Sequence, residues 1–175
     1  MVLMRDLPTR FGAAGLLLAC TAVLGGCGLF SAPPKLKLGD VRVRTAPDAN
    51  RNSPVMMDVV LVSDEELTQR LMAPDGKWFP DGPLLAASYP QALRVYRCEF
   101  PPSSELMLPP ELFDGRRALA VFVFAGLVDG ERRARIEGWR DGGVIAVGRE
   151  GWNPVPQEKG AAAQRAPLMH CSSPM

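Results

Sequence analysis

The segment that most narrows the choice of fold is Ala118-Leu119-Ala120-Val121-Phe122-Val123-Phe124-Ala125, which carries no polar side chain on either alternating face. A strand that is apolar on both sides needs cover on both sides, so it is expected to lie innermost in its fold. Residues 55–62, Val-Met-Met-Asp-Val-Val-Leu-Val, are apolar apart from Asp58 and read as another central strand. Alternation over 37–45, where Val41 and Val43 are interleaved with Arg42 and Arg44, predicts a half-buried first strand. Further strands are expected at 93–100, 132–139 and 144–148, parted by Pro101-Pro102, Pro109-Pro110, Asp129-Gly130 and Asp141-Gly142-Gly143. The last two separators are hairpin signals, because Asp-Gly and Gly-Gly supply the positive backbone angles of tight turns.

One helix is expected after residue 62. Ser63 can cap its free amides while Glu66 closes the capping box, Leu67, Leu71 and Met72 share one face, and Pro74-Asp75-Gly76 stops it. Trp78-Phe79 is expected to plug that helix onto the sheet, the alternative being an exposed ligand platform. Residues 47–54 are polar and rich in turn formers, so they read as an exposed loop joining two strands. Short strands in series with a single helix describe a mainly β fold, a β-sandwich with one short inserted helix.

At the N-terminus, Arg5 and Arg10 precede an apolar run over 11–24, too short for a membrane-crossing helix of about twenty residues. The run closes on Leu24-Gly25-Gly26-Cys27, an aliphatic residue and two small ones before a cysteine, which resembles the bacterial lipobox. The resemblance implies cleavage in front of Cys27 and acylation of its thiol, with palmitate or a similar chain. Cys20 is a rival, but bulky Leu18 fits the small position badly. A spanning anchor would need the apolar stretch to continue, whereas Ser31-Ala32-Pro33-Pro34 follows. The expected organisation is a signal peptide over 1–26, a lipidated tether over 27–36, a β-sandwich domain over 37–155 and a loosely ordered tail over 156–175. Gly28 rather than aspartate after the lipidated cysteine points to the periplasmic face of the outer membrane.

The full chain holds 20 basic and 19 acidic residues; Arg5, Arg10 and Asp6 leave with the signal peptide, so 18 of each remain. That balance argues against a phosphate-tracking groove and hence against nucleic acid. Cys98 and Cys171 remain as free thiols after processing, and an oxidising periplasm permits them to pair. The alternative makes Cys98 a small buried hydrophobe and Cys171 an exposed tail residue.

Catalytic chemistry is hard to assemble from this chain. Its one histidine, His170, lies in the tail; no serine stands in a G-x-S-x-G elbow; Lys77 is the only lysine in the body beyond Lys37. The acid pairs Glu65 with Glu66 and Asp129 with Glu131 read as a helix start and a hairpin tip. There is no CxxC and no glycine-rich phosphate loop, and neither a cofactor nor a metal site is expected. The chain reads as a binding protein and not an enzyme.

Taken together, the lipobox, the tether, the first strand, the Asn- and Pro-containing loop and Ser53-Pro54-Val55-Met56-Met57-Asp58-Val59-Val60-Leu61-Val62 entering a short helix resemble the TssJ lipoproteins of type VI secretion. Trp78-Phe79-Pro80, Phe100-Pro101-Pro102 and Val121-Phe122-Val123-Phe124-Ala125 extend the resemblance as far as Val155. It implies a transthyretin-like or Ig-like β-sandwich anchored in the outer membrane, binding the periplasmic region of the inner-membrane protein TssM. It also implies that the loop over 47–54 makes the contact, through Asp48, Asn50, Arg51 and Asn52. A different class, a small-ligand or peptidoglycan-binding lipoprotein, would have Trp78, Trp139 and Trp152 line a groove. A periplasmic hydrolase would need acidic side chains to converge in a pocket.

Overall fold

A computed structural model describes residues 32–160 and 165–172. The signal-peptide segment and Cys27 lie outside them. The chain divides into two compact units, Met1–Ala32 and Pro33–Met175, and the architecture belongs to the second. No helix among the described residues is long and apolar enough to cross a membrane.

Among the described residues, nine strands form two sheets: β1 (Val41–Thr45), β2 (Val55–Val62), β3 (Leu93–Phe100), β4 (Glu105–Met107), β5 (Ala120–Leu127), β6 (Gly130–Arg135), β7 (Gly143–Val147), β8 (Trp152–Pro156) and β9 (Cys171–Ser172). One sheet runs β4-β1-β7-β8 and the other β6-β5-β2-β3-β9. All ladders are antiparallel except β1 with β7. The expected β-sandwich is present, with both central strands side by side, Asp58 of β2 opposite Phe124 of β5.

Alternation explains why these two strands are apolar throughout. Val55, Met57, Val59 and Leu61 of β2, with Val121, Val123 and Ala125 of β5, face the other sheet and pack with Val41, Val43, Phe100, Ile136 and Ile145. The intervening Val60, Val62, Ala120, Phe122 and Phe124 face the opposite way into a second core. Helices cover that side: α1 (Glu65–Met72) contributes Leu67 and Leu71, and α2 (Trp78–Ser88) contributes Trp78 and Leu85.

The insertion therefore holds two helices, where one was expected. Pro80, Gly82 and Pro83 read as breakers, yet Pro80 lies in the first turn, where amides have no helical partner to lose. Gly82 is needed for a different reason: a Cβ there would meet the Trp78 ring at 2.6 Å, so only glycine lets the indole fold back against its own helix. The cap of α1 is Asp64, one residue later than expected, its carboxylate accepting from Leu67 N–H at 2.9 Å. Met72 is 43% exposed and does not join Leu67 and Leu71 in the core.

The loop over 47–54 joins β1 to β2, as expected, and crosses between the two sheets. One further expectation changes. The tail is not loose over 167–172. Met107 N–H donates to Pro167 O and Met169 N–H to Met107 O, after which Cys98 and Arg97 pair with Cys171 and Ser172. A disulfide joins Cys98 to Cys171. The tail thus runs along the exposed edges of β4 and β3 and hides backbone groups that would otherwise invite pairing with another chain.

Candidate functional site

The strand directions define two poles. Met56 pairs with Gly126 at one end of the β2–β5 ladder and Val62 with Ala120 at the other. The chain joins the domain near the second end, where Leu36 N–H donates to Arg116 O and Ala118 N–H to Pro34 O. The crossing loop lies at the first.

Within that loop, residues Ala49–Asn52 form a 3-10 turn in which Asn50, Arg51 and Asn52 all have positive φ, at 48, 54 and 62°. Asparagine tolerates this region; arginine does so at a cost of roughly 1 kcal/mol or more. What holds the turn is Asn50. Its side chain is 4% exposed, donates from Nδ2 to Pro54 O at 2.9 Å, and accepts at Oδ1 from Val128 N–H at 2.6 Å. Its own N–H donates to Gly148 O at 3.0 Å. Through its side-chain amide and its backbone N–H, this one buried residue therefore ties three loops together: 47–54, the β5–β6 turn and the turn after β7.

This corrects the role expected for Asn50, which is buried as a clamp and is not offered to a partner. Arg51 is exposed and pairs with the exposed Glu150 at 3.3 Å. Asp48 and Asn52 are exposed, and their side chains make no hydrogen bond among the described residues. Three of the four loop residues thus display charge or amide groups on a backbone that is already fixed. Val128, 57% exposed, adds an apolar tip beside them.

From this pole an open groove of about 1080 Å³ extends beneath the start of α2, with Met56, Lys77, Phe79, Arg97, Leu127 and Arg132 among its lining. Its charged walls are fixed by structural duties. Glu131 accepts from Trp78 N–H at 2.8 Å and Phe79 N–H at 2.9 Å, placing a carboxylate on the N-terminus of α2. Arg133 donates to Leu71 O, Met72 O and Ala73 O at the C-terminal end of α1. Arg132 pairs with Asp129 at 2.8 Å. Glu65 and Glu66 sit in the exposed first turn of α1. The acid pairs are therefore committed to helix ends and a hairpin tip and do not converge.

Below the groove lies a cluster that sequence reasoning missed. Asp58, 1% exposed, accepts from Arg97 Nε and Nη2 and from Trp78 Nε1, each at 2.8 Å. The Asp58 hydrogen bond, chiefly, raises the Arg97 guanidinium above its ordinary pKa against the effect of burial. The Trp78 indole stacks on Phe124 with centroids 4.8 Å apart. The available signal was a single aspartate in an otherwise apolar strand, which needs a cation once buried.

The three tryptophans do not line one groove. Trp78 lies in the helix-side core, while Trp139 and Trp152 belong to the core between the sheets.

The chain is similar in structure to Lip of Serratia marcescens. Lip is a membrane bound component of the type VI secretion system; the match has 14% identity and a TM-score of 0.45 and covers 68% of this chain and 96% of Lip. No protein-family model and no curated sequence matches the chain.

Proposed function

We propose that this chain is an envelope lipoprotein that acts by binding and not by catalysis, gripping a larger protein with the pole built around residues 47–54. The observation that carries this reading is the run of three left-handed residues held by Asn50, a strained turn kept rigid while Asp48, Arg51 and Asn52 face outward. A pre-fixed loop loses little entropy on binding, and functional side chains are commonly carried on such loops. The sequence resemblance to TssJ supplies the partner, the periplasmic region of a TssM-like inner-membrane protein of a type VI secretion system. Cys27 would carry the lipid and hold the domain to the periplasmic face of the outer membrane.

Replacing the loop by a two-residue turn is not a usable test, since the loop spans between sheets. The informative variant is Asp48→Ala with Arg51→Glu and Asn52→Gly, leaving Asn50 in place; glycine keeps the positive φ of 62° at position 52 without strain. Calorimetric titration against the periplasmic region of a TssM-like protein should show binding by the wild type and its loss in the triple variant, with thermal stability nearly unchanged. Full affinity in a folded triple variant would refute the site, and no binding by the wild type would refute the partner. For the anchor, label from a palmitate analogue should disappear in Cys27→Ser.

A further inference from the structure

The pole opposite the loops carries a charge pattern of its own. Arg94, Arg116 and Arg117 line a cleft of about 280 Å³ together with Ser63 and Gln91, and no acidic residue shares that lining. Elsewhere Arg42, Arg44, Arg51, Arg97, Arg132 and Arg135 each have a carboxylate partner, while Arg70, Arg133, Arg140, Arg149 and Arg165 have none among the described residues but do not cluster in this cleft. Among the described residues the three cleft arginines have none. Arg117 donates from Nη1 to Pro33 O at 2.8 Å, and Arg116 Nε is buried with no partner among the described residues. Lys35, exposed, bridges to Arg117 through the backbone, next in the chain to the residues that join the domain. Glu111 and Asp114 lie on the preceding turn, and Glu65 and Glu66 on α1, all outside the cleft. Guanidinium groups without carboxylates are poised for phosphate, which they bind in paired hydrogen bonds.

Geometry says which phosphate. The arginines sit where the chain joins the domain at Pro33, six residues after Cys27. However it is arranged, such a segment reaches at most about 20 Å. A lipid on Cys27 would therefore hold this pole close to the bilayer surface, within the range where basic residues feel an anionic membrane. We infer that the Arg94–Arg116–Arg117 cleft docks onto anionic phospholipid headgroups and so sets the domain upright, with the loop pole pointing away from the membrane. This inference rests on the reading of Cys27 as the lipidated residue.

The test needs a chain with no lipid, so that headgroup contact is measured alone. The second unit, Pro33–Met175, is compact by itself and holds both hydrophobic cores, so a chain beginning at Gly28 keeps the fold. Sedimentation with phosphatidylcholine vesicles containing phosphatidylglycerol should capture this chain at low salt, and vesicles of phosphatidylcholine alone should not. Arg94→Gln with Arg117→Gln should weaken capture roughly thirtyfold, about fivefold for each charge removed near the surface. Arg70→Gln, on exposed α1 and outside the cleft, should change it much less. Equal capture by both vesicle types, or an equal loss in Arg70→Gln, would overturn the inference. Inorganic phosphate at matched ionic strength should fail to displace the chain; full displacement would show a free-anion site and overturn membrane docking. Palmitate-analogue labelling of the full chain tests Cys27 separately, so failure of the anchor and failure of the cleft are distinguishable.

Discussion

Two arginine–carboxylate pairs with nearly the same fork geometry sit on the outer faces of the two sheets. Arg97 meets Asp58 through Nε and Nη2 at 2.8 Å each, and Arg44 meets Glu105 through the same two nitrogens at 3.0 and 3.2 Å. Their surroundings differ. The five-stranded sheet is roofed by α1 and α2, leaving Asp58 1% exposed, whereas the side chains of Arg44 and Glu105 are 53% and 34% exposed. Hydrogen-bond geometry alone does not set what a pair contributes. Under the roof, losing Arg97, itself 37% exposed, strands the Asp58 charge away from water; on the open sheet, water replaces whatever is lost.

The largest effect is expected from Arg97→Ala, which leaves Asp58 buried with only the Trp78 N–H. It should cost about 3–5 kcal/mol in a urea unfolding titration. Asp58→Leu combined with Arg97→Met should recover most of that, because well-packed apolar groups replace a buried pair without stranding either charge. If the double variant is as unstable as the single one, packing and not charge governs this site.

Lifting the roof is the next test. Gly82→Ala would drive the Trp78 ring off its helix and should cost about 1–3 kcal/mol by overpacking. Tryptophan emission should shift to the red as the indole meets water, and an unchanged spectrum would mean that the ring is not held by Gly82. A milder loosening comes from Glu131→Gln, which removes the charge from the start of α2 and should cost about 1 kcal/mol. Amide exchange should speed up in α2 while β2 and β5 stay protected; uniform acceleration would show that the roof and the sheet open together.

The smallest effect is expected from Arg44→Ala on the open sheet, well under about 1 kcal/mol at neutral pH. Hydrogen bonding to Arg44, chiefly, holds the Glu105 carboxyl below its ordinary value of 4.5. A depressed carboxyl contributes stability above its unfolded pKa and loses it as pH falls through the folded value. The difference between wild type and Arg44→Ala should therefore be present at neutral pH and shrink below about pH 4.5. A difference that grows in acid would contradict this assignment of the pair.

Much of this architecture was legible from residue order. The apolar run in β5 announced a strand covered on both sides, and 93–100 coincides with β3, because alternation records burial directly. α2 was hidden because Pro80 weighs as a breaker unless its place in the first turn is known, and because Pro83 lies inside the helix, where proline argues against one. β4 and β8 were hidden because a three-residue strand and one holding Pro154 and Pro156 carry too little pattern. At the site, residues 47–54 were recognised as a polar loop, but composition could not distinguish the buried asparagine from the exposed one. That distinction depends on Val128 and Gly148, which reach Asn50 only through the folded chain.

The parallel pairing of β1 with β7 also sets a timetable. Val41 lies opposite Gly143, roughly a hundred positions further along the chain. β1 therefore has no parallel neighbour until most of the polypeptide has been made, and β9 must then arrive last to cover the edge. Contacts between such distant segments are slow to form, since a large loop must close before any of them is rewarded. Until then the valines of β1 and the inner face of β2 stay uncovered, an apolar surface open to association for that whole interval.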